Sequence, residues 1–197
     1  MKAGIIWSGN LSYGKLPIDL QSPKVQEVVE SEKRLIENSI EEKAFEIVKR
    51  YTKYVRKNCE LHQVNSSHPQ DLGDYDVLSF IPGKNIILNI ECKDNLPAFC
   101  LKDAKRLREK IFGRPGKDLG HFEHIEKRRI YLAEHISSIA KDISWPINVD
   151  TRPEIVTIYL TRFKNWWTSY PPIDVNAVFL RVDMLANYIE GLWDYDE

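Results

Sequence analysis

Six consecutive residues, Ile155-Val156-Thr157-Ile158-Tyr159-Leu160, form an uninterrupted apolar and largely β-branched run. A run of this make-up and length reads as a buried strand rather than a helix. Upstream, Ile86 to Cys92 is a second strand, and strands are also predicted at Cys59 to Val64, Tyr75 to Phe80 and Ala177 to Leu180. Helix signals surround them. Ser22-Pro23 offers a cap and a first-turn proline for a helix to about Asn38. Ser39 and Glu42 have capping-box spacing for a second helix to about Lys57. Further helices are expected over Pro97 to Phe112, Leu119 to Ile143 and Val182 to Ile189. This order implies an α/β fold, a mixed central β-sheet flanked by helices.

The chain of 197 residues carries no repeat and no Pro/Gly/Ser linker, so we expect an N-terminal arm and helix over 1–38 and one domain over 39–197. No apolar run approaches the roughly 18 residues of a membrane span, and Met1 to Trp7 is too short and mixed for a secretory signal. The expectation is a cytoplasmic protein without a membrane partner. Cys59, Cys92 and Cys100 lack CxxC spacing and read as buried reduced thiols. A net charge of -1 excludes a coat of positive charge, so any polyanion must meet a local patch. Lys102 to Arg129 is rich in Lys and Arg, whereas the end of the chain is acidic.

Alternation along the second strand puts Ile86, Leu88, Ile90 and Cys92 on one face and Ile87, Asn89, Glu91 and Lys93 on the other. In the preceding strand Asp74, Asp76, Leu78 and Phe80 share a face, and a hairpin through Pro82-Gly83 can lay Asp76 across from Glu91 and Lys93. Asp74 takes that place if the register differs by two. On the helix before, Glu41 sits at the margin of the stripe Ile40, Ala44, Ile47, Val48, Tyr51 and Val55, while Glu42 and Glu46 point away. A plain strand-end ion pair, with Asp76 capping a turn, is the structural alternative.

Gly73-Asp74-Tyr75-Asp76-Val77, a hairpin and then Ile87-Leu88-Asn89-Ile90-Glu91-Cys92-Lys93-Asp94 resemble the core motif of the PD-(D/E)xK, or restriction-endonuclease-like, superfamily. Ile40-Glu41 with Ala44, Ile47 and Val48 is similar to its first core helix, and the likeness covers roughly residues 39–190. The resemblance implies a restriction-endonuclease-like core and a metal-dependent nuclease acting on DNA, with RNA as the alternative, in a defence, repair or mobile-element role. Asp76, Glu91 and the Cys92 carbonyl would hold Mg²⁺, with Mn²⁺ as a substitute, and Glu41 would complete the shell. Lys93 would orient or deprotonate the attacking water and stabilise phosphoryl charge. A homodimer is compatible with such nucleases. The superfamily also includes catalytically inactive nucleic-acid-binding modules, the second expectation.

Lys102, Lys105, Arg106 and Arg129 are candidates for phosphate contacts, or else charges that solvate two helices. Gly113 to Gly120 is a mobile loop near substrate or a plain turn. His121 and His124, like His62 and His68, lack further ligands at metal spacing and read as surface or substrate-adjacent histidines. Trp166-Trp167 with Tyr170 stacks on bases or anchors a loop.

Overall fold

Strands Val55–Cys59 (β1), Tyr75–Ile81 (β2), Ile86–Lys93 (β3), Glu154–Thr161 (β4) and Val178–Arg181 (β5) form one sheet in that order in the computed structural model. It describes residues 22–95, 98, 100–114, 120–148, 151–164 and 166–192, without the side chains of 29, 32, 33, 36 and 37. The expected arm over 1–21 lies outside the described residues. β1, β2 and β3 pair antiparallel, whereas β3 pairs with β4 and β4 with β5 in parallel. The tight turn between β2 and β3 can only reverse the chain, whereas the parallel returns from β3 to β4 and from β4 to β5 run through longer crossovers. Between β2 and β3 the turn closes with Lys84 N–H donating to Ile81 O and Asn85 N–H to Pro82 O, both at 3.2 Å. Asn85, at φ 53°, takes the left-handed position rather than Gly83.

The helices are Pro23–Val48 (α1), Leu61–Val64 (α2), Leu101–Phe112 (α3), His121–Glu134 (α4), Ile136–Asp142 (α5), Trp166–Ser169 (α6) and Leu185–Gly191 (α7). Ile40, Ala44 and Val48 of α1 join Leu185 and Ile189 of α7 on Val77, Leu88, Ile90 and Leu160, which covers one sheet face. Leu132, Ile139 and Ile143 cover Leu78, Phe80 and Ile87 on the other. Beside them Leu107 and Ile111 of α3 meet Phe122, Ile125 and Tyr159. The molecule is thus α/β, with a mixed sheet between helical layers. No described helix is long and apolar enough to cross a membrane.

Several local expectations are corrected. The helices expected over 22–38 and 39–57 are one continuous helix, so Ser39 caps nothing and the 38/39 boundary falls inside α1. That helix stops at Val48, because Thr52 turns away, its Oγ1 donating to Phe80 O at 2.6 Å, and Val55 starts to pair with Ser79. The strand expected at Cys59 to Val64 therefore lies earlier, and Leu61–Val64 is helical with Leu61 buried. The helix expected to run on to Ile143 breaks at His135 into α4 and α5, and α3 starts at Leu101; Pro97 and Leu119 lie outside the described residues. Cys59 and Cys92 are buried, but Cys100 is exposed at the start of α3, where its backbone rather than its thiol is used.

Candidate active site

The ladder pairs Val77 with Ile90 and Leu78 with Asn89, and one further step sets Asp76 opposite Glu91. Opposed residues share a face, so the two carboxylates stand side by side on the face away from α1. Gly73 makes this register possible. Its φ of 72° turns the chain just before β2, and Asp74 stays outside the strand. Asp74 is therefore not the acid that faces Glu91.

Lys93 joins the pair from the same face of β3. Its Nζ lies 2.7 Å from Glu91 Oε1 and 3.4 Å from Asp76 Oδ2, while the Cys92 backbone N–H donates to Asp76 Oδ2 at 2.6 Å. Asp76 and Glu91 are each 5% exposed. Burial, followed by repulsion from Glu91 and from Glu41, pushes the Asp76 carboxyl up to about 7 despite the opposing pull of Lys93 and the Cys92 N–H. Burial works against the Lys93 ammonium, but Glu91 and Asp76 outweigh it and hold the group protonated well above the usual lysine range.

A fourth side chain enters from α4. Arg128, 7% exposed, bonds Glu91 Oε2 through Nη2, and its guanidinium carbon sits 5.9 Å from the centre of the Tyr75 ring. Its backbone carbonyl accepts from Tyr75 OH at 3.0 Å, which ties the helix to β2. Arg128 Nε is buried with no hydrogen-bond partner among the described residues. Each carboxylate of the centre thus faces a cation, Glu91 two of them.

The row of residues continues across the sheet. Glu91 pairs with Tyr159 and Tyr159 with Phe179, so Asp76, Glu91, Tyr159 and Phe179 form one line over four strands. Asn95 Nδ2 donates to Tyr159 Oη at 2.6 Å, and His121 Nδ1 lies 2.8 Å from the same oxygen. Burial first, then Glu91 and Asp76, keep the phenol protonated against the opposing effect of Asn95.

No protein-family model, curated protein or solved structure matches the chain.

Asp76, Glu91 and Lys93 are brought together. Glu41, half-buried on α1, is near enough for its charge to act on Asp76 and Cys92. Among the described residues, no three His, Cys, Asp or Glu side chains gather closely enough to hold a metal ion. Lys102, Lys105 and Arg106 are exposed on α3, whereas Arg129 is tied to Glu126 on its own helix, at 2.7 and 2.6 Å. Trp167 anchors its loop by donating to Ala104 O at 2.7 Å, and Trp166 and Tyr170 remain exposed against each other. His68 is structural, bridging Tyr131 OH at 2.8 Å and Asp142 at 2.9 Å.

Arg128 is the site residue that the sequence reading passes over. In Lys127-Arg128-Arg129 it is one cation among three, yet it alone falls in phase with Phe122, Ile125 and Leu132 on the buried stripe of α4. A cation on a core-facing helical phase is the signal that could have found it.

Proposed function

We propose that the chain is a magnesium-dependent nuclease of the PD-(D/E)xK kind, with a restriction-endonuclease-like core, hydrolysing phosphodiester bonds in DNA in a defence, repair or mobile-element role. The supporting observation is the meeting of Asp76, Glu91 and Lys93 on one sheet face at the carboxyl end of β3. Two carboxylates held together so that one rises to about 7 suit a divalent cation, which would relieve their repulsion. Magnesium commonly takes only one or two carboxylates and keeps several waters, so Asp76 and Glu91 with the Cys92 carbonyl fit it, and Mn²⁺ could replace it.

When bound, the ion supplies Lewis-acid polarisation of the phosphate and a lowered pKa for water. Glu91 and Asp76 hold Lys93 as an ammonium in the metal-free centre, and beside a bound phosphodiester it would orient or deprotonate the attacking water and stabilise the charge that builds on the phosphoryl oxygens. Glu41 adds negative potential beside Asp76 and so favours cation capture. Lys102, Lys105 and Arg106 offer exposed charge for the rest of the nucleic-acid backbone.

One observation favours a second reading, a non-catalytic nucleic-acid-binding or assembly module of the same fold. Arg128 and Lys93 already neutralise the carboxylates, as in a purely structural ion-pair cluster. Linear, circular and single-stranded DNA incubated with and without Mg²⁺ separates the two. Cleavage that needs Mg²⁺ and falls by roughly a hundredfold or more in Glu91→Ala and Lys93→Ala supports the nuclease. DNA retained but uncut supports the binding module, and full activity in both variants removes these residues from the mechanism.

A further inference from the structure

The phenol of Tyr159 has one proton and two nitrogen neighbours. With Asn95 donating to that oxygen, the phenolic proton is available to His121 Nδ1. A neutral imidazole that accepts it carries its own hydrogen on Nε2, on the side of the ring away from Tyr159. The rings of His121 and Tyr159 lie nearly parallel, with centres 6.2 Å apart, and His121 is only half-buried.

The position of His121 follows from how α4 crosses the sheet. His121, Ile125, Arg128 and Leu132 recur at helical spacing on one stripe. Arg128 reaches Tyr75 on β2 and Glu91 on β3, while His121 reaches Tyr159 on β4. Two helical turns advance about 10 Å, which matches two inter-strand spacings. The helix therefore spans the line Asp76, Glu91 and Tyr159, with Arg128 over its acidic end and His121 beside its phenol.

Gly120 locks that crossing. A Cβ there would run into the backbone of Phe112 and Gly113 and come within 2.6 Å of Ile111 O. The end of α3 thus meets the start of α4 backbone to backbone. Gly120 N–H also donates to Glu123 Oε2 at 3.2 Å, which settles the first turn. Burial, then the charges of Lys110, Lys93, His124 and Arg128, press the His121 imidazole down to about 3 and keep it uncharged.

We infer that His121 is a phosphate-contacting residue of this site, its Nε2–H donating to a non-bridging oxygen of the bound phosphodiester while Tyr159 and Asn95 hold the ring in place. The inference rests on the phosphodiester chemistry proposed above. A neutral donor has a specific merit here. It adds a hydrogen bond to the anion without a third cation to compete for Asp76 and Glu91.

The test is a ring-nitrogen NMR spectrum of the ¹⁵N-labelled full chain, with Ca²⁺ in place of Mg²⁺ to halt turnover and a short DNA duplex, a DNA single strand and inorganic phosphate as probes. We expect His121 to show the Nε2–H tautomer, to stay untitrated from about pH 5 to about pH 8, and to shift at Nε2 when DNA binds. His121→Phe should lower kcat/KM about tenfold, the worth of one hydrogen bond, and His121→Gln should recover part of the loss by restoring a neutral donor. An Nδ1–H tautomer, or an Nε2 signal unmoved by bound DNA, overturns the inference using the unmutated protein alone. Failures are distinguishable. If Glu91→Ala abolishes cleavage while Nε2 ignores DNA, only the role of His121 falls; if Nε2 responds to DNA but Glu91→Ala cuts normally, the contact stands and the nuclease centre falls.

Discussion

Glu91 and Tyr159 are direct neighbours in the parallel ladder between β3 and β4, so a buried carboxylate and a buried phenol leave the same sheet face side by side. Asp76 extends the row on one side and Phe179 on the other. Polarity therefore falls across four strands, from two carboxylates through a hydroxyl to a benzene ring. Asp76 and Glu91 are almost fully shielded from solvent, which strengthens the electrostatics of the centre.

The Glu91–Arg128 pair should dominate the stability of the centre. Glu91→Ala leaves a buried guanidinium without its carboxylate, a loss expected to cost about 3–5 kcal/mol, whereas Glu91→Leu with Arg128→Met should lie closer to the unmutated protein than either single change. Urea denaturation of the parent, Glu91→Ala, the two single changes and the double variant measures this. A Glu91→Ala protein as stable as the parent would mean that the pair carries no net weight.

Asp76 predicts an unusual dependence of stability on pH. Its folded pKa is raised to about 7 from its ordinary 3.8, so between these values the folded chain holds a proton that the unfolded chain has released. Metal-free stability should therefore fall as pH rises toward about 7. His121 acts with the opposite sign, since its depressed value removes stability as pH drops below its ordinary 6.5. Melting curves of Asp76→Asn and His121→Gln would separate the two slopes, and a flat difference between Asp76→Asn and the parent would refute the shift.

Mg²⁺ binding should be coupled to the same proton. A ligand that binds only the folded state raises the melting midpoint with its concentration, and here Asp76 must lose its proton first. The rise in midpoint caused by Mg²⁺ is expected to be larger at about pH 8 than at about pH 6, and to vanish in Asp76→Asn. Equal rises at both pH values would show that the ion binds elsewhere.

Ser39→Ala tests the continuity of α1. Because Ser39 lies exposed within the helix and caps nothing, the change should alter stability by no more than about 0.5 kcal/mol. A loss of about 1 kcal/mol or more would mean that a helix starts there after all.

How much could be read from the sequence depended on how local the deciding interaction was. Asp76, Glu91 and Lys93 were legible because a two-residue period and a short turn fix which side chains face each other. The end of α1 was not, since Tyr51 and Val55 continue a helical stripe and only the distant pairing with β2 pulls Val55 into a strand. Ser39 and Glu42 have the right types for a cap, but the backbone around them never leaves the helix. Arg128, and the pairing of His121 with Tyr159, were hidden for the same reason. Nothing near them in sequence reveals that α4 crosses the strands at the row they join.

The spacing of these partners along the chain also has a consequence for how the centre comes into being. Asp76 and Cys92 are 16 residues apart, Glu91 and Arg128 are 37, and Asn95 and Tyr159 are 64. Closing a short loop loses less entropy than closing a long one, and local pairings tend to form first. The hairpin that carries both acids and Lys93 can therefore assemble early, while Arg128 arrives only when α4 docks. The two acids and Lys93 thus need only a hairpin to meet, while their second counter-charge depends on a contact more than twice as distant along the chain.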